Sequence, residues 1–419
     1  MPRLSRRAFA AVAAVAPFLQ DAARAQTSAA SDDARALIDL VFENYAYQER
    51  LTGFSERRLR ALREGEAARV STAGELVSFG ERALAALFDH HAILNSSRAN
   101  SYGLVPSFAD MWIETNARGR YVIEDVRAGS PAAAAGIRPG DFLVLVEGEP
   151  VSRAIERFIE APVGDLSPAQ RAACARVLAA GRRDRARQLS VTHNGVRRRL
   201  ALPNLYAQGV ARAEGALTVQ SPAPGVAHVR FNDSLGDDAT IEAFDAFMRG
   251  GPGELAVIID LRDTVSGGNT RVARAVLGWF VDRRTPYQRH ELPQEARDGG
   301  PPRTWLEEVS PRGARYGGAV FVLVSRWTGS MGEGMALGFD AIGARVIGTR
   351  MAGLLGAVYD FPLPSSGIAL KLPAERLYHV NGAPREAFTP PVLLPNADAP
   401  DASGADPALT AALRELATR

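Results

Sequence analysis

The stretch "TGSMGE", Thr328 to Glu333, follows an unbroken apolar run, "AVFVLV", and precedes a helix-like segment, "GMALGFDAIG". A serine at a strand-to-helix seam can be a nucleophile or only a helix cap, and spacing by itself favours the cap. If Ser330 attacks a carbonyl, the oxyanion can be held by the Met331 N–H, because the first N–H groups of a helix have no intrahelical partner. A second donor can come from Gly267 or Gly268 in the neighbouring loop "DLRDTVSGGNT". Each such donor typically lowers a barrier by about 3 kcal/mol. A serine nucleophile also needs a base, and the chain offers six histidines and a single lysine, Lys371. Lys371 sits in a strand-like "GIALKLP". His193, His228 and His290 fall in a predicted hairpin, a strand and an arginine-rich loop, where structural or exposed roles are expected. His90, His91 and His379 remain as base candidates. An esterase-like order Ser330, Asp360, His379 is a further arrangement, although Thr328 occupies the first glycine of the nucleophile-elbow pattern.

These residues belong to a chain of 419 residues with a net charge of +2. The length implies two or three folded units. Near charge balance makes "RRDRAR" and "RRR" solvated faces rather than a nucleic-acid footprint. Cys174 is the only cysteine, which excludes an intramolecular disulfide and a cysteine-built zinc site. No cofactor is called for.

The elements that must position the candidates follow from periodicity. "MPRLSRRAFAAVAAVAPFLQDAARAQ" has a basic start, a short apolar stretch and a small-residue site at Ala23-Arg24-Ala25. It reads as an export signal too short to span a bilayer, and "SRRAF" is similar to a twin-arginine signal. A periplasmic or secreted protein without a stable membrane span is the expectation. Leu37, Val41 and Tyr45 recur at helical spacing, and Thr72 with Glu75 forms a capping box ahead of Leu76, Phe79, Ala83 and Leu87. From about residue 217 to 394, apolar strands alternate with helices, which predicts a layered α/β core with a mainly parallel sheet. Chemistry in such sheets gathers at the carboxyl ends of strands. The tail reads as a polar linker and one short helix.

Two resemblances sharpen this reading. "GSPAAAAGIRPGD" resembles the "SPA..AGL..GD" signature of PDZ domains, which bind an extended peptide by strand addition; the unit closes on a hairpin at Asn194-Gly195. "LAVIIDLRDTVSGGNT", "VFVLVSRWTGSMGE", "GARVIGTRMAG" and "GAPREAFTPPVLLP", in that order behind it, resemble the tail-specific or carboxy-terminal processing serine peptidase family. The resemblance implies a multi-domain fold: export signal peptide at 1–25, helical domain at 26–105, PDZ-like β-rich domain at 106–205, α/β peptidase core of ClpP/crotonase-like layering at 206–397, and tail at 398–419. It also makes Ser330 the nucleophile. The Ser-Lys branch is excluded because Leu354 stands where its lysine would be. The branch similar to the tricorn core takes a histidine from the helical domain, here His91 in "LFDHHAIL" with His90 as the alternative, and a glutamate, here Glu386. In that reading His91 is the base, Glu386 orients it, and Gly267, Gly268 and Met331 form the oxyanion hole. The implied partner is a peptide or unfolded protein caught by its tail on the PDZ-like unit. The sequence departs from the family at Thr264, at one extra residue before Gly267, and at a lost aspartate after Glu386. These departures motivate the alternative of an inactive relative that binds a peptide or an apolar ligand.

Overall fold

The computed structural model describes residues 29–102, 108–207, 210, 213–252, 254–297, 299–400 and 404–419. The expected export segment at 1–25 lies outside them.

Three helices come first: α1 (29–44), α2 (Phe54–Ala61) and α3 (Ala73–Ala85). Thr72 caps α3 by accepting the Glu75 N–H at 3.2 Å. The Glu75 carboxylate accepts from the N–H and hydroxyl of Ser71, at 2.9 and 2.7 Å, so the expected box is offset by one residue on its return bond. Leu76, Phe79 and Ala83 face Leu37, Val41 and Tyr45, as the spacing requires, and Leu355, Leu363, Leu370 and Leu372 of the core complete the same apolar cluster. The helical unit therefore shares its interior with the core.

After the short strand β1 (Ile93–Leu94) comes the PDZ-like unit. It contains β2 (Met111–Thr115), β3 (Tyr121–Val126), α4 (Pro131–Ala134), β4 (Phe142–Val146), β5 (Glu149–Pro150), α5 (Val151–Ile159), α6 (Pro168–Ala180), β6 (Arg187–His193) and β7 (Val196–Leu202). Its sheet runs β2-β3-β4-β6-β7, with β5 paired to β4. Asn194 and Gly195 both take left-handed φ, 47° and 82°, which closes the tight hairpin expected there. The outer strand β2 lies against α6.

The remaining elements are β8 (Leu217–Ala223), β9 (Val226–Phe231), α7 (Ala239–Arg249), β10 (Ala256–Asp260), α8 (Thr270–Leu277), β11 (Thr285–Leu292), β12 (Arg303–Val309), β13 (Ala319–Val324), α9 (Met331–Ala341), β14 (Arg345–Gly348), β15 (Ala357–Pro362), β16 (Ala369–Tyr378), β17 (Val392–Leu393) and α10 (Pro407–Ala417). The main sheet runs β17-β14-β13-β10-β9-β8, parallel except for β8. Along β10, Val257 and Ile259 meet the cluster built with α7, α8 and α9, while Ala256 and Ile258 meet the cluster that holds α10. A strand covered on both faces must be apolar throughout, which is why "AVII" shows no alternation. A second, antiparallel sheet runs β1-β16-β11-β12 with β15 on β16. There β1 pairs Ile93 with Lys371 and Leu94 with Leu370, stitching the helical unit to the core two residues beyond His91.

Candidate active site

Ser330 ends the loop that leaves β13 and stands immediately before α9. Thr328 donates its hydroxyl to the Leu261 carbonyl at 3.0 Å, and the Gly329 N–H reaches the Thr264 carbonyl at 3.2 Å. The two strand-end loops are thereby fastened together. Ser330 itself has φ 49° and ψ −110°, whereas an ordinary N-cap sits in the β region. Such a backbone costs about 1–3 kcal/mol and persists only where the surroundings enforce it. The enforcing group is Glu333, whose carboxylate accepts the Ser330 N–H at 2.9 Å. Strain at a serine on a sharp strand-to-helix turn is the arrangement of a nucleophile elbow.

The glycine loop closes on this turn. A Cβ on Gly267 would lie 3.0 Å from the Ser330 Oγ and 3.1 Å from the Met331 nitrogen, and one on Gly268 would lie 2.2 Å from the Leu235 carbonyl oxygen. Only glycine leaves room at either position. The Gly267 N–H donates to the Thr264 carbonyl at 3.1 Å. The N–H groups of Gly268 and Met331 have no hydrogen-bond partner among the described residues. Gly267 thus contributes close approach, and the donors open to an oxyanion are Gly268 and Met331.

His91 follows α3, 8 % exposed. Its N–H donates to Asp89 at 2.9 Å, and the Tyr45 hydroxyl donates to the other oxygen of the same carboxylate at 2.8 Å. The ring Nδ1 lies 2.7 Å from the Leu355 carbonyl. A carbonyl can only accept, so Nδ1 carries the proton and the Nε2 lone pair is left as the basic position. Burial, helped by the Arg385 charge, pushes the imidazole down to about 4, so it is neutral at neutral pH.

The segment 353–356 joins His91 to Ser330. Glu333 accepts the Gly353 N–H at 2.9 Å and the Leu354 N–H at 3.2 Å. Arg385, 2 % exposed, donates to the carbonyls of Leu354 at 2.7 Å, Gly356 at 2.8 Å and Ser330 at 3.3 Å. One guanidinium thus grips the Ser330 turn and both peptides that flank the histidine's acceptor. Neither Glu333 nor Arg385 was assigned a role from sequence. Glu333 had a signal, being three residues after a helix-initiating serine; Arg385 had none.

His90 points elsewhere, with its Nε2 3.5 Å from the Arg176 Nε of the PDZ-like unit. Glu386 makes no hydrogen bond to His91 among the described residues. Among the described residues its Oε2 is buried without a partner, as is the Tyr47 hydroxyl, and burial raises its carboxyl. It lies near Tyr47 and Asp89, close enough to act on both charges. The esterase-like order comes apart: Asp360 pairs with Lys371 at 2.6 Å, and the His379 Nε2 lies 3.3 Å from Asp340. His193 and His228 are held by Asp141 and Asp260. His290, expected in a loop, lies instead on β11 between Glu307 and Glu375, because β12 and β16 pair on either side of it. Among the described residues no cluster of His, Cys, Asp or Glu could hold a metal.

Residues 226–391 match the model of peptidase family S41, and residues 122–165 match that of a PDZ domain. The core of the chain thus carries the match to peptidase family S41, behind the match to a PDZ domain. The chain is a serine-type peptidase. No curated protein sequence matches it. Among solved structures, the chain is similar to the photosystem II D1 C-terminal processing protease, with 18% identity over 88% of this chain and 96% of the other and a TM-score of 0.53. It is also similar to mature CPAF complexed with lactacystin, with 16% identity, 88% and 94% covered, and a TM-score of 0.56. A peptidase from Parabacteroides merdae ATCC 43184 gives 15% identity, 93% and 96% covered, and a TM-score of 0.53. At such identities the likeness is one of fold.

Proposed function

We propose that this peptidase is an exported serine endopeptidase acting on peptides or unfolded proteins, with Ser330 as nucleophile, His91 as base and Glu386 as orienting residue. The observation that carries the reading is the left-handed Ser330 held against Gly267 within a bond network that also holds His91. In the first step the Ser330 Oγ attacks the scissile carbonyl while the His91 Nε2 takes its proton. The oxyanion receives the Met331 and Gly268 N–H groups. As the tetrahedral species collapses, the imidazolium returns the proton to the leaving amine. Water, deprotonated in turn by His91, then hydrolyses the acyl-enzyme. Glu386 acts on this set indirectly, from beside Tyr47 and Asp89, rather than as a direct partner of the ring.

Export rests on the basic, apolar and small-residue pattern of residues 1–25. No helix among the described residues is long and apolar enough to cross a membrane. Labelling by a fluorophosphonate and cleavage of a reduced, unfolded protein test the catalytic reading. Both should vanish in Ser330→Ala, and retention of cleavage in that variant would refute it. The alternative, a binding protein without turnover, draws on the engaged Gly267 N–H, which leaves the oxyanion loop fewer free donors. Serine-dependent turnover by pure protein excludes it.

A further inference from the structure

The PDZ domain is expected to hold a substrate tail by adding it as a strand to an open sheet edge. The edge in question is β2, which among the described residues pairs only with β3. In the β2–β3 ladder Ile113 stands opposite Ile123. The Ile123 N–H donates to the Asp141 carbonyl and the Ile123 carbonyl accepts from Gly140, both at 2.8 Å and both on the β4 side. Ile113 and Ile123 are therefore a non-hydrogen-bonded pair, and the N–H and carbonyl of Ile113 face outward, where an added strand would bond.

The carbonyl of that position is taken. Arg176 of α6 donates its Nη1 to the outward Ile113 carbonyl at 2.8 Å and to the Glu114 carboxylate at 2.9 Å. Its guanidinium lies 4.5 Å from the centre of the Trp112 ring. The small residues of α6, Ala172, Ala173, Cys174, Ala175 and Ala179, are buried, and small side chains let a helix lie close to a strand. Both ends of α6 are fixed. Ser167 and Gln170 form a reciprocal capping box at its start, and the Arg183 N–H beyond its end donates to the Ser101 carbonyl at 3.0 Å. Covering an edge with a helix is a known way of keeping other strands off it.

The same ring meets the catalytic loop. Arg326 lies 4.8 Å from the Trp112 centroid, and the Trp327 indole N–H donates to the Ala109 carbonyl at 2.7 Å. The helix-covered edge and the nucleophile loop are thus one packed assembly.

We propose that α6 is a built-in occupant of the PDZ strand edge, so that this peptidase takes extended internal segments of unfolded proteins and gains nothing from a free carboxyl terminus. The proposal rests on the peptidase reading of Ser330 for its substrate class, but the position of α6 can be tested apart from it. Three forms of one unstructured peptide are compared as substrates of the full chain: with a free carboxyl terminus, as the carboxyl-terminal amide, and cyclised head to tail. Values of kcat/KM that agree within about twofold are expected, and a preference of about fivefold or more for the free carboxylate overturns the proposal. In parallel, hydrogen exchange is followed in Ser330→Ala with and without a saturating amount of the linear peptide. The amides of α6 should stay protected throughout. Their release on peptide addition, with β2 becoming protected, overturns the proposal whatever the activity assay shows. If no form is cleaved, the catalytic reading fails, and the exchange result alone decides the role of α6.

Discussion

Glu333 is buried beneath the Ser330 turn, 1 % exposed, and accepts three backbone N–H groups, from Ser330, Gly353 and Leu354. Burial nevertheless raises its carboxyl to about 7. A group whose folded pKa is above its unfolded one binds more protons when folded, so its contribution to stability falls as pH rises from the ordinary glutamate range towards 7. Only the ionised form has every lone pair free for these donors. We therefore expect kcat/KM to fall below about pH 7, and this limb to disappear in Glu333→Gln, as read from pH–rate profiles. His91, held near 4, does not supply the limb. Arg385 offers the complementary test. Arg385→Met leaves three carbonyls without their donor, and hydrogen bonds to a charged group are worth about 1.5–3 kcal/mol each. Melting should reveal a loss of at least about 2 kcal/mol, with kcat falling more than KM rises, because the turn and the histidine segment lose their common clamp. Arg385→Lys, a point charge in place of a planar fork, should recover only part of it.

At the scale of elements, α3 delivers His91. Its start is set by the Thr72 cap and its exit by β1 pairing with β16. Thr72→Ala should cost about 1 kcal/mol in chemical denaturation and leave the pH profile unchanged, since the cap lies a full helix away from the histidine. The α10 helix shows the same logic on the face of the main sheet opposite α7, α8 and α9. Asp406 caps it through the N–H groups of Ala408 and Leu409, at 3.0 Å each, and pairs with the buried Arg262 at 2.7 Å. Asp406→Ala removes a cap and a partner of a buried cation together. A loss of about 2 kcal/mol is expected from thermal melting, with peptidase kinetics unaltered in the surviving folded protein.

Across the whole molecule, the site is assembled from loops far apart in sequence: residues 89–91, 264–268, 325–333, 353–356 and 385–386. The PDZ domain is fastened to this assembly by Trp327 and by ion pairs between Arg326 and Glu124 at 3.0 Å and between Arg127 and Asp263 at 3.1 Å. Trp327→Phe keeps the bulk but leaves the Ala109 carbonyl unpaired. It should cost about 1–3 kcal/mol and lower kcat, whereas a PDZ domain that merely hangs from the core would leave kcat untouched.

Local chemistry was legible in the chain itself. Apolar runs marked the strands buried on both faces, Asn194-Gly195 marked its hairpin, Thr72 marked the start of α3, and the order of motifs marked the S41 core and the PDZ domain. These depend on the neighbours of each residue along the chain, where spacing carries the information. The Ser-Lys arrangement could likewise be set aside, since Leu354 stands where its lysine would be and Lys371 is the chain's single lysine. Tertiary packing decided the rest. His91 rather than His90 turns towards the core because β1 joins β16, a pairing of segments some 280 residues apart that leaves no local trace. Arg385 acquires its role only when three carbonyls from two loops converge on it, and α6 covers β2 only because a run of small residues lets helix and strand approach. Spacing fixes which side chains share a face; which face meets which other is settled by long-range packing.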